Sequence, residues 1–276
     1  MTLRKMTMKD RAQAEAMWRD VFEEAAAFTA YYFEKRFHPE HSFGAFEGDR
    51  LVAMAQGRPT AIWVEGKVRA AMLVAGVSTL PEYRGRGLMH KLMTLLIDHA
   101  QSSGFSCCYL HPVSESLYVS LGFRTGTDAK IIHSDDAREH KPFDLREGYS
   151  AQEMLAVYHA LQASHDGMQM RDEAELALVY ADYATDGVTT LIAYAENRPV
   201  GYICFGESGV FELFALCAPA YALLLDEAAK RAGKALKAIV PTDCGLMGER
   251  VYSMQYLVFD DAFSLPLSNG FCRLAY

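Results

Sequence analysis

The segment from Val77 to His90 reads V-S-T-L-P-E-Y-R-G-R-G-L-M-H, a strand-like run that passes through Arg84-Gly85-Arg86-Gly87 into a helical pattern. Such a turn presents backbone N–H groups at the positive end of a helix, a place for a phosphate or pyrophosphate. Gly85 and Gly87 let the backbone approach the anion, and Arg84 and Arg86 can add charge-assisted hydrogen bonds. A basic, solvated turn without a ligand would have the same four residues. The run is neither a P-loop nor a dinucleotide fingerprint, because no Lys-Ser/Thr follows and the spacing is not G-x-G-x-x-G.

The elements that must position this turn follow from spacing. Thr7 is placed to cap a helix in which Ala14, Met17, Trp18, Val21 and Phe22 share a face, with Asp10 three residues on. A second helix over about 25–37 carries Phe28, Tyr31, Tyr32 and Phe33, a face suited to core packing or to a substrate-pocket wall. Apolar runs punctuated by Gly48-Asp49 and Glu65-Gly66 predict three antiparallel strands between His41 and Leu80. LMHKLMTLLIDHAQ then reads as a helix, FSCCYLH as a strand, and SESLYVSLGF as a short helix with Ser114 at its N-cap and Gly122 at its end. RTGTDAKIIHS is expected to close the sheet. In the short helix Ser114, Tyr118 and Leu121 share a face.

Asp135 to Gly148 is rich in charge and poor in apolar residues, as a linker would be. Ser150 to Glu153 reads S-A-Q-E, a capping box, and the order of elements then repeats. Two helices, to about 163 and over about 172–183, precede the strands TTLIAYAE, VGYICFGE and VFELFALC, a helix around AYALLLDEAAKRAG and the strand ALKAIV. LVAMAQGRPT and LIAYAENRPV share an x-A-x-A-x-x-R-P core, which suggests duplication. The second half has no glycine-rich turn before its helix, so chemistry is expected in the first.

Over 276 residues, 51% apolar and 22% charged, the chain has material for two cores at roughly 150 residues per domain. This composition rules out a disordered chain. A formal charge of −8, from 35 acidic and 27 basic residues, gives no reason to expect nucleic acid as a partner. The N-terminus lacks an apolar signal core and no stretch approaches the roughly 20 residues of a membrane helix, so a cytoplasmic protein with no membrane partner is expected. The six cysteines include the adjacent Cys107 and Cys108 and no C-x-x-C spacing, and no metal site is expected.

The strand, the P-E-Y-R-G-R-G turn and the following helix resemble the coenzyme A loop of the GNAT superfamily of acyl-CoA-dependent N-acetyltransferases. That loop has the pattern Q/R-x-x-G-x-G/A, which falls here on Arg84, Gly87 and Met89, the last where Gly or Ala is usual. Two such halves with a cofactor loop in the first alone are most similar to the enhanced-intracellular-survival branch, which also accepts a large apolar residue there. The resemblance implies an α/β fold of the α+β kind, a mixed and mostly antiparallel sheet flanked by helices, in two tandem GNAT-like domains. Residues 1–140 would be catalytic, and 149–276 GNAT-like without the loop. It further implies acetyl-CoA as co-substrate, no metal, and direct transfer to a primary amine of a small molecule or side chain. The oligomeric state stays open.

By the same resemblance, Val77, Ser78 and Thr79 pair with the pantetheine amides and offer an N–H to the thioester carbonyl. Arg84, Gly85, Arg86, Gly87, Leu88, Met89 and His90 cradle the pyrophosphate, and Ser114 joins the cofactor residues. Tyr118 protonates the departing thiolate, a phenol with a pKa of about 10 against about 8.5 for a thiol; by position alone a core tyrosine fits equally well. The run from Ala70 to Leu80 contains no carboxylate to act as base. In larger enzymes of that branch the C-terminal carboxylate does this work, which makes Tyr276 one candidate and His111, at the end of the fifth strand, another. Glu23 and Glu24 could line the amine pocket. The alternative is a non-catalytic acyl-CoA-binding module, which would give no steady release of coenzyme A with any amine.

Overall fold

A computed structural model of the chain describes residues 1–135, 143–267 and 269–272. Two long strands form its spine, β3 (Arg50–Val64) and β4 (Lys67–Thr79), where the Cβ-branched and apolar residues of the runs are concentrated. They join at Glu65 and Gly66, both at positive φ (51° and 73°), the conformation a two-residue hairpin demands. β1 (Thr2–Lys5) and β2 (Phe43–Glu47) extend the sheet on the β3 side, all pairs antiparallel. On the other side β4 pairs in parallel with β5 (Cys107–Leu110).

Helices cover both faces of this sheet. α3 (Leu88–Ser102) packs Leu88, Leu92, Met93 and Leu96 on Ala45, Val52, Met72 and Val74. α1 (Arg11–Phe22) and α2 (Ala26–Lys35) pack Trp18, Tyr32 and Phe33 on Phe46, Met54 and Ala75 of the opposite face. The expected start before α1 is present: the Asp10 carboxylate accepts both the Thr7 N–H and the Thr7 hydroxyl, at 2.8 and 3.0 Å.

The second half repeats the arrangement. β7 (Asp144–Glu147), β8 (Thr189–Ala195), β9 (Arg198–Phe205) and β10 (Val210–Ala215) form a separate four-stranded antiparallel sheet in the order β10-β9-β8-β7. α5 (Ala151–Gln162) and α6 (Glu173–Tyr183) cover one face of it and α7 (Ala218–Ala232) the other. Here β10 passes to α7 through Leu216 and Cys217 alone, and Pro219 stands in the first turn of the helix. That turn has neither glycines nor, at Pro219, an N–H to offer an anion.

Four sequence expectations need correction. β6 (Arg124–His133) does not close the sheet: β12 (Glu249–Val258) lies between β5 and β6, and β11 (Lys237–Val240) lies beyond β6, giving the order β1-β2-β3-β4-β5-β12-β6-β11. The expected linker at 135–148 therefore does not divide the hydrogen bonding, and its last part, Asp144–Glu147, is itself a strand paired with β8. β1 and β12 are strands the spacing did not announce, each recruited by a partner remote in sequence. Finally, the two similar phrases fold differently. LVAMAQGRPT lies within the single strand β3, whereas LIAYAENRPV turns at Glu196 and Asn197 (φ 49° and 62°) to make the β8–β9 hairpin.

Candidate active site

β4 and β5 run side by side only briefly. Their parallel pairing covers Ala71–Cys107, Met72–Cys108 and Leu73–Tyr109, after which β4 continues to Thr79 while β5 ends at Leu110. The chain thus leaves main-chain groups of Ala75 to Thr79 on the β5 side outside any β4–β5 ladder. An extended amide-bearing ligand can pair with groups of this kind.

A bulge aims this edge. On β3, Met54 and Gln56 are two residues apart, but their partners on β4, Ser78 and Ala75, are three apart, so the strand carries an extra residue at Gly76-Val77. Gly76 has φ +57°, and a Cβ on it would stand 2.4 Å from the Trp18 ring. Only glycine meets both requirements. Ser78 is buried and its hydroxyl donates to the Gly76 carbonyl at 3.3 Å.

Past Thr79 the turn expected to hold an anion is formed at the N-terminus of α3. Gly85 and Gly87 take φ +75° and +70°, Gly87 is the N-cap, and a Cβ at either would meet nothing within 4 Å. The glycines are therefore required by backbone conformation, and open space lies in front of them. Arg84 Nε donates to the Thr79 carbonyl at 3.2 Å, and Arg86 Nη2 to the Glu82 carbonyl at 2.9 Å, with its guanidinium 4.8 Å above the Tyr83 ring. Both arginines brace the loop from its rim, while the first-turn N–H groups of Leu88, Met89 and His90 lack an intrahelical acceptor. Met89 packs half-buried against the α3 core, and His90 is exposed.

Tyr118 lies on α4 (Ser116–Val119), buried in the same core as Val74, Leu88, Leu110 and Phe123, against which Val77 and Met89 also pack. Its ring meets Phe123 edge-on at 5.9 Å. Burial raises the phenol above its ordinary pKa, which keeps the proton on oxygen at neutral pH. Val77, Ser78, Thr79, the 84–90 turn and Tyr118 thus share one end of the sheet.

The other candidates that are described lie exposed. Ser114 is exposed and its hydroxyl meets that of Ser116 at 3.0 Å; the N-cap of α4 is Glu115, not Ser114. His111 is exposed directly after β5. Glu23 ends α1 at φ +55°. Glu24 follows in the α1–α2 junction, and desolvation raises its carboxyl pKa. Tyr276 lies outside the described residues.

Three arginines and an aspartate that the spacing did not single out line the α2 face beside this site. Arg36, Arg58 and Arg171 are each under 5% exposed, and buried Asp182 is lifted to about 7 by desolvation, against the pull of Arg36 and Arg58. For Arg58 and Asp182 the signal in the sequence was a lone charge, in MAQGRPTAI and LVYADY, which is rare unless the charge has a partner; Arg36 and Arg171, flanked by other charges, gave none.

No curated protein matches the sequence. Among solved structures, a probable N-acyltransferase from Enterococcus faecalis shares 19% identity over 93% of this chain and 72% of its own, with a TM-score of 0.73. Eis1 from Mycobacterium abscessus shares 16% over 94% and 74%, with a TM-score of 0.69. A putative acetyltransferase from Pyrococcus horikoshii shares 13% over 99% and 95%, with a TM-score of 0.63. These likenesses establish the fold, a mixed and mostly antiparallel sheet flanked by helices. The family model of the acetyltransferase (GNAT) domain matches residues 2–126, the segment that holds the splayed strands, the glycine turn and Tyr118. The GNAT assignment thus covers residues 2–126, and the likeness to the solved N-acetyltransferases extends the fold over the rest of the chain.

Proposed function

We propose that the chain transfers the acetyl group of acetyl-CoA directly to a primary amine of a small molecule or side chain. The observation that supports this reading most is the end of β4 splayed from β5 and continuous with the Gly85–Gly87 turn. The residues present fit a coenzyme: β4 offers main-chain groups of Val77 to Thr79 to the pantetheine amides, and the positive-φ glycines leave the space in front of α3 to the pyrophosphate. The Val77 N–H is placed to donate to the thioester oxygen as charge develops there. Tyr118, protonated through its raised pKa, holds the proton for the departing sulfur. The first half, 1–140, is the catalytic unit of this proposal, and 149–276 is a second GNAT-like unit whose short β10–α7 turn leaves it without a cofactor loop.

Calorimetry with acetyl-CoA and coenzyme A tests the reading. Binding to the wild-type protein and loss of at least 10²-fold in affinity in Gly87→Glu is the expected result, since a carboxylate would face the phosphates and the N-terminal dipole would no longer be available to them. No binding, or unchanged binding in the variant, rejects it. Steady release of coenzyme A with some member of an amine panel separates catalysis from binding alone.

A further inference from the structure

A cavity of about 480 Å³ opens between the end of α2, the middle of β3 and the segment leading into α6, and three arginines line it. Arg36, Arg58 and Arg171 are 4%, 4% and 3% exposed. Buried guanidinium groups are rare without anionic partners, and the two carboxylates of the cavity wall, Asp172 and Glu175, and that of Glu212 are already engaged. Glu212 accepts from Arg171 Nη1 at 2.8 Å and also from the hydroxyls of Tyr183 and Tyr202, at 3.1 and 2.9 Å. Glu175 accepts from Arg36 Nη1 at 2.7 Å. Asp172 caps α6, accepting the Glu175 N–H at 2.8 Å.

Arg36 and Arg171 thus use the same part of the guanidinium, Nη1, for an internal carboxylate. The other edge is unpaired in both: Nε and Nη2 of each are buried with no hydrogen-bond acceptor among the described residues. Nε–H and Nη2–H point the same way and form the fork that matches the two oxygens of a carboxylate or phosphate. Buried N–H groups of a charged donor are costly to leave unsatisfied. Arg58 adds positive charge to the same wall, and burial, then the charge of Arg36, lowers its pKa. In a chain of net charge −8 this is a locally cationic, low-dielectric recess.

The recess and the proposed transfer edge lie on the paired strands β3 and β4. Gln56, Arg58 and Thr60 alternate on one face of β3, Arg58 opposite Leu73 and Gln56 opposite Ala75, next to the Gly76 bulge. We propose that this cavity holds an anionic group of the acceptor, a carboxylate or phosphate, so that the acceptor is an amine that also carries a negative charge. This rests on the acyl-transfer reading above.

The experiment has two arms. In the first, coenzyme A release is followed with matched acceptors: amino acids and dipeptides against their C-terminal amides, and O-phosphoethanolamine against ethanolamine. The anionic member is expected to be favoured about tenfold or more in kcat/KM, the scale of one charge-assisted pair. Arg36→Gln, and Arg36→Lys, which keeps the charge and lacks the fork, should both lose the preference while acetyl-CoA affinity holds. Equal use of the two members by the wild-type protein, or a preference that survives both variants, overturns the proposal. In the second arm inorganic phosphate is titrated against thermal unfolding. Saturable protection of the wild-type protein, absent in Arg36→Lys, supports the cavity even if no amine is acetylated; no protection combined with no anion preference removes it, whatever becomes of the acyl-transfer reading.

Discussion

The buried side-chain amide of Gln255, on β12, donates to the main-chain carbonyl of Glu115 at 3.2 Å. Glu115 is the N-cap of the short helix that carries Tyr118, so a residue of the second half holds the seat of the proposed acid. The Gln255 side-chain carbonyl oxygen is buried and has no partner among the described residues, so replacing the amide by a hydrocarbon should cost little stability, within about 1 kcal/mol. Gln255→Leu is therefore expected to unfold like the wild-type protein yet lower kcat about tenfold through misplacement of α4, with the KM for acetyl-CoA unchanged. A kcat equal to that of the wild-type protein would leave Gln255 with a packing role only.

Tyr118→Phe removes the hydroxyl and keeps the ring that packs on Phe123. The expected loss is about 10²-fold in kcat with coenzyme A affinity retained, the range of general acid catalysis. Because burial raises the phenol's pKa, the activity attributable to Tyr118 should persist through neutral pH and fall only above pH of about 10. A basic limb unchanged in Tyr118→Phe would assign that limb to another group.

Gly76→Ala should be the most damaging single methyl in the first half. The new Cβ would meet the buried Trp18 ring at 2.4 Å, an overpacking of about 1–3 kcal/mol, and a left-handed residue adds about 1–2 kcal/mol. Denaturant midpoints measure the sum. Gly87→Ala, at similar φ but facing open space, should lose only the second part.

The pH dependence of stability should carry the signature of Asp182. Around its carboxyl stand Tyr31 and Arg36 from α2, Arg58 from β3 and Glu24 from the α1–α2 junction. Its pKa is raised from 3.8 to about 7, mainly by burial, so the folded state holds a proton that the unfolded state releases. Its contribution is fully present below about pH 4 and is lost as pH rises toward 7. The displacement corresponds to about 4 kcal/mol at most. Asp182→Asn should flatten the decline between pH 4 and 7 in denaturant titrations; an unchanged slope would place the titration elsewhere.

What could be read without the structure depended on whether a residue's constraint was local. Gly85 and Gly87 are fixed by their own φ, and the Ser150 cap by the Glu153 N–H three residues on, so both were legible. β1 and β12 have no such constraint. TLRK becomes a strand because β2 lies beside it, and β12 because β5 and β6 are left apart. The shared x-A-x-A-x-x-R-P phrase misled for the converse reason: two residues of positive φ convert a strand into a hairpin while the letters around them stay alike. Arg58 and Asp182 were hidden because each is a single charge among apolar residues and Arg36 because it is one of three successive charges, Glu34 to Arg36, and only the packing of α2 and α6 over β3 makes them neighbours.

The place of β12 also sets an order on the birth of the molecule. The strand that bridges β5 and β6 comes from residues 249–258, well over a hundred positions after the strands it joins. While the chain emerges from the ribosome, the segment bearing the glycine turn must wait with two exposed strand edges, the kind that recruit other chains. Contacts of such long range make folding slow. The proposed coenzyme site would therefore be completed only once residues 249–258 have emerged, and a nascent chain held short of residue 249 should be a client for chaperones.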